Sequence, residues 1–249
     1  MDQWKGKVAI VTGASAGIGA AIAQALVHHG MVVVGLARRQ EKMQELAKKL
    51  SEAKEPGKLH AVKCDLTKEE DILAAFQWTD KELGGADVLV NNAGLAVLGH
   101  LQDGNTKDWS NMLNLNILAL CISTREYLES MERRKNQHGH IININSVAGH
   151  IIFSSRGGVY AGTKHAVKAI TQSLRRELVD KNSKIKVTSI SPGITRTEMT
   201  GSNLDLLQGN GSLDPSFLAK AVVDTLGTSE ETQVCEMIIN AMPSKFVVY

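Results

Sequence analysis

Tyr160 and Lys164 stand four residues apart in "YAGTK", immediately before the amphipathic run "HAVKAITQSLRREL". Side chains at i and i+4 of a helix share a face and can interact, so this spacing sets a phenol beside an ammonium. A free tyrosine keeps its proton to about pH 10, and a neighbouring cation favours the phenolate. Unit charges roughly 5 Å apart at an effective dielectric near 20 interact by about 3 kcal/mol, which corresponds to about two pK units. That is enough to make Tyr160 a proton donor or acceptor near neutrality. A chance surface pair would be spelled the same way, so the rest of the chain has to decide. Ser146, in "NINSVAG" at 143–149, offers a hydroxyl ahead of the pair. Asn116 interrupts the apolar stretch "MLNLNILALCIS" with an amide, which costs stability there unless it is hydrogen-bonded.

The elements that must position these groups alternate along the chain. Apolar, β-branched runs ("KVAIVTG", "MVVVGLA", "LHAVKCDL", "ADVLVNNAG", "HIININS", "IKVTSISPG", "TQVCEMIIN") are separated by helical patterns. The helical patterns fall over 20–29, 40–53, 106–134, the Tyr160 run, a Pro215-initiated run, and a segment from Thr67 in which Thr67 and Glu70 spell a capping box. Near-continuous apolar strands flanked by helices predict an α/β fold, with about seven parallel strands buried on both faces. No linker or repeat divides the 249 residues. One doubly wound, Rossmann-type domain over 1–249 is the expectation, with residues 194–214 as a mobile substrate-binding loop.

With 43% hydrophobic and 22% charged residues the chain reads as globular, and a net charge of +2 argues against a nucleic-acid footprint. No run of 18 apolar residues predicts a membrane span, and the start lacks the layout of a secretory signal. Cys64, Cys121 and Cys235 are widely spaced, which predicts free thiols, no metal site and a cytoplasmic setting.

"VAIVTGASAGIGAAIAQAL" sets Gly13, Gly17 and Gly19 between a strand and a helix. Glycines there permit a tight turn and close approach of backbone to a pyrophosphate at a helix N-terminus. The TGxxxGxG spacing lacks the GK[ST] of a phosphate-hydrolysing loop. Where an acid would take the ribose 2′-hydroxyl of NAD, the second strand ends Ala37-Arg38-Arg39. Two cations at a helix start oppose the helix dipole, so the pattern predicts NADP(H), with its 2′-phosphate, in preference to NAD.

"TGASAGIG", "NNAG" at 91–94, "NINSVAG", Tyr160-xxx-Lys164 and "SPGITRT" at 191–197 occur in order and register. Together they resemble the short-chain dehydrogenase/reductase family, in its NADP-preferring branch, over about Lys5 to Thr197. The resemblance implies that Ser146 polarises a substrate oxygen and that Tyr160 is the general acid or base. Lys164 would lower the Tyr160 pKa and hold the nicotinamide ribose, and Asn116 would hold a water on a proton relay. It implies cofactor contacts from Gly13, Ser15, Gly17, Ile18 and Gly19, from Arg38 and Arg39, and from Asp65 and Leu66 at the adenine. Asn91 and Gly94 would shape the cofactor floor, with contacts from Asn92 and Ala93 as well, and Pro192, Gly193, Ile194 and Thr197 would face the nicotinamide. Two departures stand out: Ala16 replaces the basic residue often found in the glycine loop, and "EMIINAMPSK" is unlike the usual C-terminal segment.

These features are similar to a farnesol-dehydrogenase-like or hydroxysteroid-dehydrogenase-like subgroup, implying a small apolar alcohol or carbonyl substrate. Leu95, Val97, Leu98, Ile151, Ile152, Phe153, Leu204, Leu206 and Leu207 are the candidate pocket residues. His150 reads as bland or as a pocket wall, and His165 as bland. The resemblance further implies a homodimer or homotetramer built on central helices. A reductase of small carbonyls, diketones or pterins remains open, as does a non-catalytic NADP(H)-binding sensor, which would need none of Asn116, Ser146, Tyr160 and Lys164.

Overall fold

The computed structural model describes residues 1–201 and 211–244. Seven strands form one parallel sheet in the order β3-β2-β1-β4-β5-β6-β7. They are β1 (Val8–Thr12), β2 (Val32–Ala37), β3 (Lys58–Lys63), β4 (Val88–Asn91), β5 (His140–Ile144), β6 (Lys186–Pro192) and β7 (Glu236–Ile239). Every residue of β1, β4 and β5 is buried, as continuous apolar runs demand of a sheet covered on both faces. The strand order reverses between β1 and β4, the switch point at which doubly wound sheets open a crevice.

On one face, helices α1 (Gly17–His28), α2 (Gln40–Glu52) and α8 (Pro215–Leu226) pack on Ala9, Val11, Val33, Val90 and Ile142. On the other, α3 (Glu69–Leu83), α5 (Ala119–Arg133) and α6 (Gly158–Asp180) cover Ile10, Val34, Leu89, Ile141 and Val187. Alternate strand residues point to opposite faces, which sorts the two cores. A short helix, α4 (Thr106–Leu113), precedes α5, and a four-residue helix, α7 (Glu198–Gly201), follows β6. An N-terminal 3-10 turn, Asp2–Trp4, ties the two ends of the fold together. The buried Trp4 indole donates to the Leu226 carbonyl at 2.7 Å, and Gln3 Nε2 donates to the same carbonyl at 2.9 Å.

Two expectations change. Between α4 and α5 the helix widens to a π segment, Asn114–Leu118, so the 106–134 helix is continuous but not uniform. The capping box does not form. The Thr67 hydroxyl donates to Asp65 Oδ1 at 2.8 Å, and α3 begins after Lys68. The Asp65 carboxylate, two residues away, outcompetes a helix start for that hydroxyl. Among the described residues no helix is long and apolar enough to cross a membrane. Leu204, Leu206, Leu207 and the rest of 202–210 in the expected 194–214 loop lie outside the described residues; Thr195 and Leu213, toward its two ends, pair in a parallel bridge.

Candidate active site

The ends of β1, β2, β3, β4, β5 and β6 open on one cleft of about 620 Å³. Its first wall is the glycine loop. Gly13 has φ +70°, and a Cβ on Gly19 would collide with the Gly13 carbonyl and the Asn92 amide. Thr12, the last residue of β1, clasps this wall to the next: its Oγ1 accepts the amides of Asn92 and Ala93, both at 3.0 Å. Asn92 Nδ2 returns a bond to the Thr12 carbonyl at 2.8 Å. Gly13, Ser15, Gly17, Ile18 and Gly19 therefore share the cleft with Asn92, Ala93 and Gly94. The residues fit a dinucleotide: the loop leaves no room for a Cβ, and the N-terminus of α1 opens on the cleft. In addition, the side-chain amide of Asn145, a residue 3% exposed in the cleft wall, has no hydrogen-bond partner among the described residues.

Ser146, Tyr160 and Lys164 meet at the inner end. Ser146 caps a 3-10 turn, Val147–Gly149, through its Oγ and the Ala148 amide at 3.1 Å. Tyr160 is the third residue of α6, and Lys164 lies one turn on, its Nζ 6.0 Å from the Tyr160 ring centre. Lys164 is buried and donates to the Ile144 carbonyl at 3.0 Å. Burial draws its ammonium down from 10.5 to about 8. Burial also pushes the Tyr160 phenol above 10, while the Ser146 hydroxyl, within hydrogen-bonding reach, pulls it back. The pair meets as its spacing predicts, but in the protein alone burial outweighs any lowering of Tyr160 by the lysine.

Asn116 sits in the π segment, a device found often at functional sites. Its amide is fully engaged: Oδ1 accepts Leu95 N at 2.8 Å, and Nδ2 donates to Leu95 O at 2.9 Å and Thr163 Oγ1 at 3.0 Å. Asn116 thus supports the floor from behind and does not line the cleft. Asn91 is likewise behind it, donating to Asn143 and Thr124.

At the outer end, Arg38, Arg39, Asp65 and Leu66 line the cleft. Arg39 is occupied: it pairs with Glu198 at 2.8 Å and donates to Ser15 Oγ at 3.3 Å, while Lys42 takes the other Glu198 oxygen at 3.0 Å. These bonds hold the Glu198 carboxyl below the usual carboxylate range. Pro192, Gly193 and Thr197 are in the wall, but Ile194 is not; its carbonyl accepts the Leu213 amide at 2.8 Å. Of the described apolar candidates only Leu95 lines the cleft, joined by Leu115 and Met199. Val97, Leu98, Ile151, Ile152 and Phe153 lie outside its lining, and Ile152 is 65% exposed. His150 is no pocket wall either; its side chain is only 5% exposed and points into the protein.

Sequence reasoning missed Thr12, Asn145, Thr163 and Glu198. A hydroxyl closing an otherwise apolar strand, directly before Gly13, was the available signal for Thr12. Glu198 gave none, because its partner Arg39 is 159 positions away.

The profile of the short chain dehydrogenase family matches residues 7–206. Farnesol dehydrogenase from Aedes aegypti is 46% identical over 248 residues, covering 99% of this chain and 100% of that protein. Dehydrogenase/reductase SDR family member 11 from Mus musculus is 42% identical over 243 residues, 94% of each chain. Alcohol dehydrogenase from the archaeon Thermococcus sibiricus, solved in complex with 5-hydroxy-NADP, has a TM-score of 0.86 at 26% identity, covering 97% of this chain and 99% of that one. The chain belongs to the short-chain dehydrogenase/reductase family and is an oxidoreductase.

Proposed function

We propose that the protein interconverts an apolar alcohol and its carbonyl compound with NADP(H). The observation that carries this reading is the single cleft with Ser146, Tyr160 and Lys164 at one end and the glycine loop, Arg38 and Arg39 at the other. A bound nicotinamide supplies or accepts the hydride. In reduction Tyr160 gives its phenolic proton to the carbonyl oxygen, which the Ser146 hydroxyl holds; in oxidation Tyr160 takes the hydroxyl proton. Lys164 keeps positive charge beside that phenol, stabilising the phenolate left after transfer. Asn116 braces the floor from behind through Leu95 and Thr163; the water-holding role in a proton relay comes from the family resemblance.

Preference for NADP(H) is supported by the Ala37-Arg38-Arg39 ending of β2, which offers cations and no acid. An apolar substrate is supported by Leu95, Leu115 and Met199 in the wall and by the likeness to a farnesol dehydrogenase. A reducing, cytoplasmic setting is part of the reading, supported by the free thiols of Cys64, Cys121 and Cys235.

The test is the NADPH absorbance change across a panel of isoprenoid and steroid alcohols and carbonyls, with NADH and Tyr160→Phe as controls. Turnover with NADPH, lost by about 100-fold or more in Tyr160→Phe while NADPH still binds, is the expected result. Near-normal turnover in the variant would remove Tyr160 as the acid. Tight NADPH binding with no turnover anywhere would favour a sensor.

A further inference from the structure

The turn that carries Ser146 ends at His150, whose ring is buried among three of the elements that build the site. From α6, Lys168 places its Nζ 3.1 Å from His150 Nδ1. From β6, the fully buried Ser191 places its Oγ 3.0 Å from Nε2, and from β7 Glu236 places Oε1 3.3 Å from the same nitrogen. An ammonium only donates, so Nδ1 accepts and the ring proton sits on Nε2, facing Ser191 and Glu236. Each partner adjoins a site residue. Lys168 is one helical turn beyond Lys164 on the same face of α6, and Ser191 immediately precedes Pro192 and Gly193 of the cleft wall. Close packing leaves the turn little slack: a Cβ on Gly149 would lie 2.8 Å from the Lys164 carbonyl.

We propose that His150 is a positioning residue for the reaction, its neutral imidazole tying the Ser146 turn to α6 and to the end of β6. The proposal rests on the oxidoreductase reading above. Through these bonds Ser146, the Tyr160–Lys164 face and the Pro192–Gly193 wall keep one geometry. A misplacement of about 1 Å in such a constellation costs on the order of 100-fold in rate.

Protonation undoes the tie. A second ring proton on Nδ1 replaces the acceptor for Lys168 with a donor and a like charge. The charged or titratable groups facing the ring are Lys168 and His165 on α6 and Glu236 on β7; β6 offers only the Ser191 hydroxyl. Burial holds the ring below 6.5, with Glu236 pulling it up and Lys168 and His165 pulling it down. The imidazole is therefore neutral at physiological pH, and the tie is lost on acidification.

The experiment measures carbonyl reduction and, separately, NADPH affinity by fluorescence, from about pH 7.5 to 5, in the wild type, His150→Gln, His150→Ala and Glu236→Gln. Reduction consumes a proton, so Tyr160 gives no reason for the rate to fall with pH. The wild type is expected to lose about threefold or more in rate and in NADPH affinity on acidification. His150→Gln keeps an acceptor and a donor without a titrating proton; it should stay within about twofold of the wild type at pH 7.5 and show no acid limb. His150→Ala should lose about tenfold or more in kcat at every pH, with little change in substrate KM. Glu236→Gln should move the acid limb to lower pH.

An acid limb unchanged in His150→Gln overturns the proposal, as does a wild type without one, a His150→Ala variant equal to the wild type, or a Glu236→Gln limb moved upward. If no substrate turns over, the reading of the reaction fails on its own, and the pH dependence of NADPH affinity still decides the role of His150.

Discussion

At the scale of single residues, Lys164 carries a charge into a place that resists it. The fall from 10.5 to about 8 corresponds to roughly 3 kcal/mol held against folding at neutral pH. Between pH 8 and 10.5 the unfolded chain binds the proton and the folded one does not, so this residue makes stability rise with pH across that window. Lys164→Met is expected to lower turnover by about 100-fold or more while leaving unfolding free energy at pH 7 equal or higher. It should also remove this residue's share of the rise between pH 8 and 10.5, leaving a flatter profile than the wild type; denaturant titrations at several pH values measure both, and a less stable variant throughout would refute the account. That Tyr160, Lys164 and Ser146 share one cleft was legible, not from the pair's spacing alone but from several motifs in register along the chain. The direction of the Tyr160 shift was not, because desolvation depends on what the rest of the fold stacks around the ring. For the same reason His150 read as bland or as a pocket wall, although its ring turns inward to partners on α6, β6 and β7.

Among the elements, α7 and α2 are joined across the mouth of the cleft by Glu198 and its two cations. That carboxylate also offsets the unfavourable placement of Arg39 at the N-terminus of α2. A 2′-phosphate reaching Arg39 has to displace or tolerate it. Glu198→Gln is accordingly expected to tighten NADPH several-fold at low salt, an effect fading as salt screens it, and to leave NADH unchanged. Equal changes for both cofactors, read by fluorescence titration, would refute this. The seven strands and most helices could be read from apolar runs because both faces of the sheet are covered. Local competition could not be read: Asp65 takes the Thr67 hydroxyl from the helix start, and the π segment places Asn116 against Leu95.

For the molecule as a whole, the parallel architecture followed from alternation of strands and helices, while the surface it would present to a second copy did not. Leu113 and Leu118, 48% and 51% exposed around the π segment, support the homodimer or homotetramer implied by the family resemblance. Sedimentation should find more than a single-chain mass for the wild type and a shift toward it for Leu113→Glu/Leu118→Glu; a monomeric wild type would exclude the assembly. The Trp4 anchor has a consequence in time. Synthesis delivers Trp4 first, yet the carbonyl it binds belongs to Leu226, 222 positions later. The same late helix packs on α1, whose N-terminus closes the glycine loop. A growing chain has therefore made every residue of that loop long before the helix behind it is backed. In order of synthesis, the Trp4 turn and the glycine loop in front of α1 therefore both wait on one helix, α8, for the packing seen in the fold.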